Sequence, residues 1–122
     1  MSPDPRTGLD IEVGHTKNVC TLTCSGDLTL GEGELALRNR VIQVLQAGDR
    51  YLVLNLCGVR YMDSAGVGEV VACSKRAFER NAVIKIVLQE TGTVQRVFAL
   101  TCLDRAFEIF QDEAQAVASF SD

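Results

Sequence analysis

A chain of 122 residues, 47% hydrophobic and 23% charged, has the balance of one globular domain with one core. The net charge of −4 comes from acidic and basic residues mixed along the chain, which argues against nucleic acid as a partner, because that needs a concentrated basic face. No apolar run approaches the roughly 20 residues that cross a bilayer, so no membrane is expected either.

Residues 1–8 are polar, with Pro3 and Pro5, and read as a flexible tail rather than a targeting peptide; the domain is expected over 9–122. Leu9, Ile11 and Val13 alternate with polar residues, as in an edge strand. Lys17-Asn18 is a turn into a second strand, Val19 to Cys24, which Ser25-Gly26-Asp27 is expected to break. A first helix runs from about Glu32 to Ala47, with Leu37, Val41, Val44 and Leu45 on one face and Gly48 as its stop. Tyr51 to Leu56 is a third strand. A second helix runs from Ser64 to about Arg80, with Val67, Val70, Val71, Ser74 and Phe78 at helical spacing. Lys75, Arg76, Glu79 and Arg80 read as its solvated side. Val83 to Leu88 is a fourth strand. Thr91 or Thr93 is expected to cap a short helix carrying Val94, Val97 and Phe98. Phe107 to Phe110 is a last strand, and Asp112 with Gln115 forms a capping-box pattern for a final helix, Ala114 to Phe120.

Strands alternating with helices predict an α/β domain with a mixed, mostly parallel sheet of about five strands. Cys20, Leu22 and Cys24 share one strand face; Leu52, Leu54 and Leu56 share another, as do Ile84, Ile86 and Leu88. The opposite faces carry Thr21, Thr23, Tyr51, Asn55 and Lys85. One side of the sheet is therefore apolar and the other mixed, which predicts crossover helices mainly on one face.

The five cysteines form no CxxC pair. Cys20 and Cys24 would stand about 13 Å apart on one strand, too far for a disulfide. They read as reduced, cytoplasmic thiols used as small apolar side chains. Cys57 is expected near a strand end, with packing a stronger reading than redox sensing. His15 is the only histidine and no paired ligand spacing occurs, so neither a metal nor another cofactor is expected.

The most informative stretch is Tyr61-Met62-Asp63-Ser64-Ala65-Gly66-Val67-Gly68, between a strand and a helix. An Asp or Ser there serves as an N-cap. A hydroxyl there also tolerates a phosphate, because the first-turn N–H groups and the helix dipole favour negative charge. Nucleophilic catalysis lacks its parts: Met62 stands where a hydrolase elbow needs glycine, and His15 is the only base available for a triad. There is no Gly-x4-Gly-Lys-Ser/Thr phosphate loop. No enzyme is expected.

The stretch resembles the signature of the bacterial STAS-domain anti-sigma factor antagonists: an apolar pair, then Asp-Ser-Ser/Thr-Gly-aliphatic-Gly. The order of elements extends the resemblance from about Ile11 to Phe120. It implies a STAS-like single domain bound by an anti-sigma factor that is also a serine kinase of the histidine-kinase-like ATPase class. It further implies that the unphosphorylated form captures this kinase and frees a sigma factor, that phosphorylation ends capture, and that a serine phosphatase restores it. Carried over by position, Ser64 is the acceptor and Asp63 the preceding acid, while Met62, Ala65, Gly66, Val67 and Gly68 contact the partner or shape the site. Ala65 replaces the family's frequent second hydroxyl. The turn Gly26-Asp27-Leu28-Thr29 brings Asp27 and Thr29 into the partner-binding set, with Thr29 where the family often has an acid that helps engage the kinase. The alternative is an unphosphorylated STAS scaffold or regulatory subunit of a larger signalling or transport assembly; the retained Asp63-Ser64 favours the switch. As a solvated cap, Ser64 would cost about 1 kcal/mol when changed to alanine.

Overall fold

The alternation of Leu9, Ile11 and Val13 builds β1 (Leu9–Thr16), which reverses at Lys17-Asn18 and pairs antiparallel with β2 (Val19–Leu28). A computed structural model describes residues 8–121. The chain continues through α1 (Glu32–Gln46), β3 (Tyr51–Met62), α2 (Ser64–Glu79), β4 (Val83–Val87), α3 (Thr93–Leu100), α4 (Leu103–Ala106), β5 (Ile109–Phe110) and α5 (Glu113–Ala118). The strands lie in sequential order, β1-β2-β3-β4-β5, and every pair after the hairpin is parallel. Residues 1–7 of the expected tail fall outside the described residues. Gly8, the last of that stretch, is tied to the sheet, its carbonyl accepting from Asp27 N at 3.1 Å.

Right-handed crossovers between strands in sequential order place their helices on one face. That face is the apolar one. Cys20, Leu22, Leu52, Leu54, Leu56, Ile84 and Ile86 pack against Leu37 and Val41 of α1, Val70 and Cys73 of α2, Phe98 of α3 and Leu103 of α4. Each buried Leu, Ile or Phe contributes about 1.5–3 kcal/mol, so this layer holds the domain together.

The last helix departs from the one-sided pattern. Ala116 of α5 packs on the opposite face with Val19, Val53 and Val87. The mixed character of that face is the reason α5 fits there. Asn55 Nδ2 donates to Glu113 Oε1 at 3.1 Å, and Lys85 Nζ donates to Ser119 Oγ at 2.8 Å. Lys85 Nζ also lies 4.2 Å from the centre of the Phe120 ring. Polar groups on a sheet face are covered here by a helix that answers them, so little desolvation goes uncompensated.

Several boundaries differ from the sequence expectations. Ser25-Gly26-Asp27 bends β2 without ending it: the pairing with β3 shifts register between Thr23 and Ser25 and between Gly26 and Asp27, then resumes to Leu28↔Met62. β3 likewise continues past Leu56, through Gly58. A Cβ on Gly58 would run into the Cys24 carbonyl, so glycine permits this close crossing. Thr93 is the first residue of α3, but the cap position is held by Gly92, at φ 117°, and neither Thr91 nor Thr93 caps the helix. The short α4, begun by Cys102 in a left-handed conformation at φ 61°, was not foreseen. α5 is shorter than expected, and Asp112 caps it alone, accepting from Ala114 N at 2.8 Å.

Candidate functional site

The extension of β2 and β3 matters because it delivers their ends side by side. Leu28 pairs with Met62, so the loop into α1 and the loop into α2 leave the sheet as neighbours. Two glycines let both helices start close to the strand ends. A Cβ on Gly66 of α2 would collide with the Leu28 carbonyl oxygen, and one on Gly33 of α1 with that of Asp27. Gly66 is therefore fixed by packing, independently of any partner.

Asp63 joins the two loops. Its Oδ1 accepts from Gly66 N at 2.9 Å, capping α2, and its Oδ2 accepts from Leu30 N at 3.0 Å in the β2–α1 loop. Burial on its own would raise this carboxyl. The N–H groups of Leu30, Gly66 and Ala65 outweigh burial and hold its pKa below the ordinary value. Asp63 is thus an anion at neutral pH, with its lone pairs already engaged.

Ser64 is the first residue of α2 and is exposed. The capping role that its position suggested belongs to Asp63. Among the described residues, the Ser64 hydroxyl has no hydrogen-bond partner, so it stands free at the surface above an ionised, anchored carboxylate. The large apolar residues beside it are also exposed: Leu30 at 73% and Tyr61 at 54%. Tyr61 opens the motif stretch but is not among the expected site residues, and Leu30, an apolar residue set in a polar turn, was not singled out from sequence.

The other expected site residues divide by burial. Met62 and Gly66 are buried and shape the site from below; Ala65 and Val67 are half-buried, Val67 against the main core. Gly68 is exposed, and a Cβ there would meet nothing within 4 Å. Asp27 lies beside Tyr61 in the sheet, and its Oδ1 pairs with Arg60 at 3.3 Å. Thr29 is half-buried and its carbonyl accepts from Glu34 N at 3.0 Å. Cys57 lies inside β3, packs toward the α5 side and has its thiol pKa raised by burial and by the Glu113 charge. It belongs to the core beneath α5 and not to a strand end.

About one and a half turns along α2, Glu69 was not anticipated. It is buried between α1 and α2, where Arg38 Nε donates to its Oε1 at 3.0 Å and Arg76 Nη1 to its Oε2 at 2.6 Å. Arg76 is therefore not part of a solvated side. It folds back seven residues along α2 to satisfy a buried acid, one turn further than the i,i+3 and i,i+4 pairs that helical spacing brings together.

A single sheet with its crossover helices on one face and an exposed serine at the start of α2 make this a small α/β domain. The family model for the STAS domain matches residues 10–116. The chain belongs to the STAS domain family. Its fold is shared with an anti-sigma factor antagonist from Mycobacterium paratuberculosis, at 20% identity over 100% of both chains with a TM-score of 0.83. A Thermotoga maritima protein assigned as an anti-sigma factor antagonist aligns at 24% identity, over 89% of this chain and 92% of that one, with a TM-score of 0.79. The Bacillus cell fate determinant SpoIIAA in its phosphorylated form aligns at 20% identity, over 87% of this chain and 96% of that one, with a TM-score of 0.60. Among the described residues, no helix is long and apolar enough to cross a membrane.

Proposed function

We propose that this protein is an anti-sigma factor antagonist that works by partner switching. Unphosphorylated, it binds an anti-sigma factor that is also a serine kinase of the histidine-kinase-like ATPase class, and a sigma factor is released. Phosphorylation of Ser64 ends that binding, and a serine phosphatase restores it. The protein contributes a docking surface and an acceptor hydroxyl, and no turnover of its own.

The observation that carries this reading is the exposed, unpartnered Ser64 hydroxyl beside an Asp63 that already holds the cap. A phosphate on Ser64 adds about −1.5 to −2 charges. It cannot share the Gly66 N–H without displacing Asp63, so the new charge faces outward. The helix start still tolerates it, and the fold is kept. The docking surface changes most, since the new charge joins an exposed surface one helical turn from Gly68 and next to the Asp63 that holds the Leu30 N–H. Like charges brought together at an interface cost several kcal/mol, enough to end binding.

The test is titration of wild type, Ser64→Ala and Ser64→Asp against the purified anti-sigma factor. Ser64→Ala is expected to bind as wild type and to resist phosphorylation. Ser64→Asp is expected to stay folded by circular dichroism and to bind at least about tenfold more weakly. A folded Ser64→Asp protein with wild-type affinity would move the phosphorylation-independent scaffold ahead.

A further inference from the structure

The spacing of the single histidine gave no reason to expect a metal, yet folding gathers three donors from three places. His15 of β1 and Cys20 of β2 are direct cross-strand partners, so both side chains leave the same face of the hairpin. Asp49, in the loop between α1 and β3, reaches the same point. His15 Nε2 lies 3.1 Å from Asp49 Oδ1 and 3.2 Å from Oδ2. The imidazole nitrogen, the Cys20 sulfur and an Asp49 oxygen all lie within 4.8 Å of one another.

We propose that His15, Cys20 and Asp49 form a binding site for a zinc-like divalent cation, with a water as the fourth ligand. Bonds of about 2.0–2.3 Å to nitrogen, oxygen and sulfur imply tetrahedral edges of roughly 3.4–3.6 Å. The imidazole nitrogen and the carboxylate oxygens stand slightly inside that spacing, and the sulfur lies within 4.8 Å of both groups. One thiolate, one imidazole and one carboxylate suit a borderline-soft ion such as zinc better than magnesium or calcium, which take oxygen ligands.

The surroundings fit such a site. The loop that presents Asp49 is held, with Asp49 N donating to the Val44 carbonyl at 3.1 Å and Arg50 Nη1 donating to the Asp49 carbonyl at 2.9 Å. His15 is exposed on one side and Cys20 fully buried on the other, so an ion would enter from solvent past the imidazole. Ion binding replaces the hydrogen bond from His15 Nε2 to Asp49 with metal–Nε2, metal–carboxylate and metal–sulfur bonds; the Cys20 proton leaves to solvent, and the imidazole changes tautomer through solvent, its proton moving from Nε2 to Nδ1. The ion would clip β1, β2 and the α1–β3 loop together. The cluster sits at the start of the 12-residue β3 and Ser64 follows its end, roughly 35–40 Å away by strand rise, so the two sites stand or fall separately.

Titration of the full-length protein with Co2+, followed by visible and near-ultraviolet absorption, tests the site. The expected result is a thiolate-to-cobalt charge-transfer band with tetrahedral d–d bands, saturating at one equivalent and abolished by Zn2+. Cys20→Ser is expected to lose the charge-transfer band. His15→Ala, at an exposed position where folding is safe, is expected to weaken binding at least about tenfold, since even groups that only orient a ligand cost that much. Cys57→Ser and Cys102→Ser are expected to leave the bands unchanged. Absence of a saturable band overturns the site, as does a band that survives His15→Ala undiminished or disappears in Cys102→Ser.

Discussion

Helix α2 treats its polar residues in opposite ways at its start and about one and a half turns further on. Glu69 is buried, and each of its oxygens is met by an arginine, one from α1 and one from α2 itself. Ser64 is exposed, with its hydroxyl unpaired and the cap beside it taken by Asp63. Polar groups that serve the fold are engaged, because an unpaired buried charge or helix end is costly. Ser64 and Gly68 have no such internal duty. The contrast separates residues that hold α2 in place from residues with no structural duty, which the proposed function assigns to a partner.

Removing the partners of Glu69 is the strongest way to break this division. Arg38→Ala combined with Arg76→Ala strands a buried carboxylate and is expected to cost about 3–5 kcal/mol in urea unfolding. A loss below about 1 kcal/mol would show that Glu69 finds water instead. Asp63→Ala comes next. Loss of the α2 cap and of the tie to Leu30 is expected to cost about 1–2 kcal/mol. Because the folded pKa of Asp63 lies below its unfolded value, that difference is fully present above the ordinary carboxylate range. It shrinks as pH falls through the lowered value. Unfolding curves for both proteins from neutral to acid pH check the sign, and a gap that widened on acidification would contradict it.

Gly68→Ala sharpens the comparison from the other side. Inside a helix, with open space where the Cβ would go, alanine is expected to raise stability by about 0.5–1 kcal/mol. If the partner packs closely over this turn, the same change weakens binding. A variant that is more stable and binds as tightly as wild type would remove Gly68 from the docking surface.

The fold was largely legible because the apolar faces of β2, β3 and β4 repeat with period two and the helices keep their own period. Ser25-Gly26-Asp27 misled because a bulge and a strand end use the same residue types. Gly92 displaced the threonines as the cap of α3 because a positive φ, invisible in sequence, decided the position. In the site, Asp63 and Ser64 were found by motif, but which of them caps the helix needed coordinates. Leu30, Glu69 and the meeting of His15, Cys20 and Asp49 depend on contacts between residues far apart in the chain, which no spacing rule reports.

The central claim is that Ser64 is a surface switch independent of the fold. Its most direct test is to incubate the protein with the anti-sigma kinase and ATP, map the modified residue by mass spectrometry, and titrate the purified phosphoprotein against the same partner. A single phosphate on Ser64, an unchanged circular dichroism spectrum and a loss of binding that a serine phosphatase reverses are the expected results. Modification elsewhere, or a Ser64 phosphoprotein that binds as tightly as the unmodified chain, would contradict it.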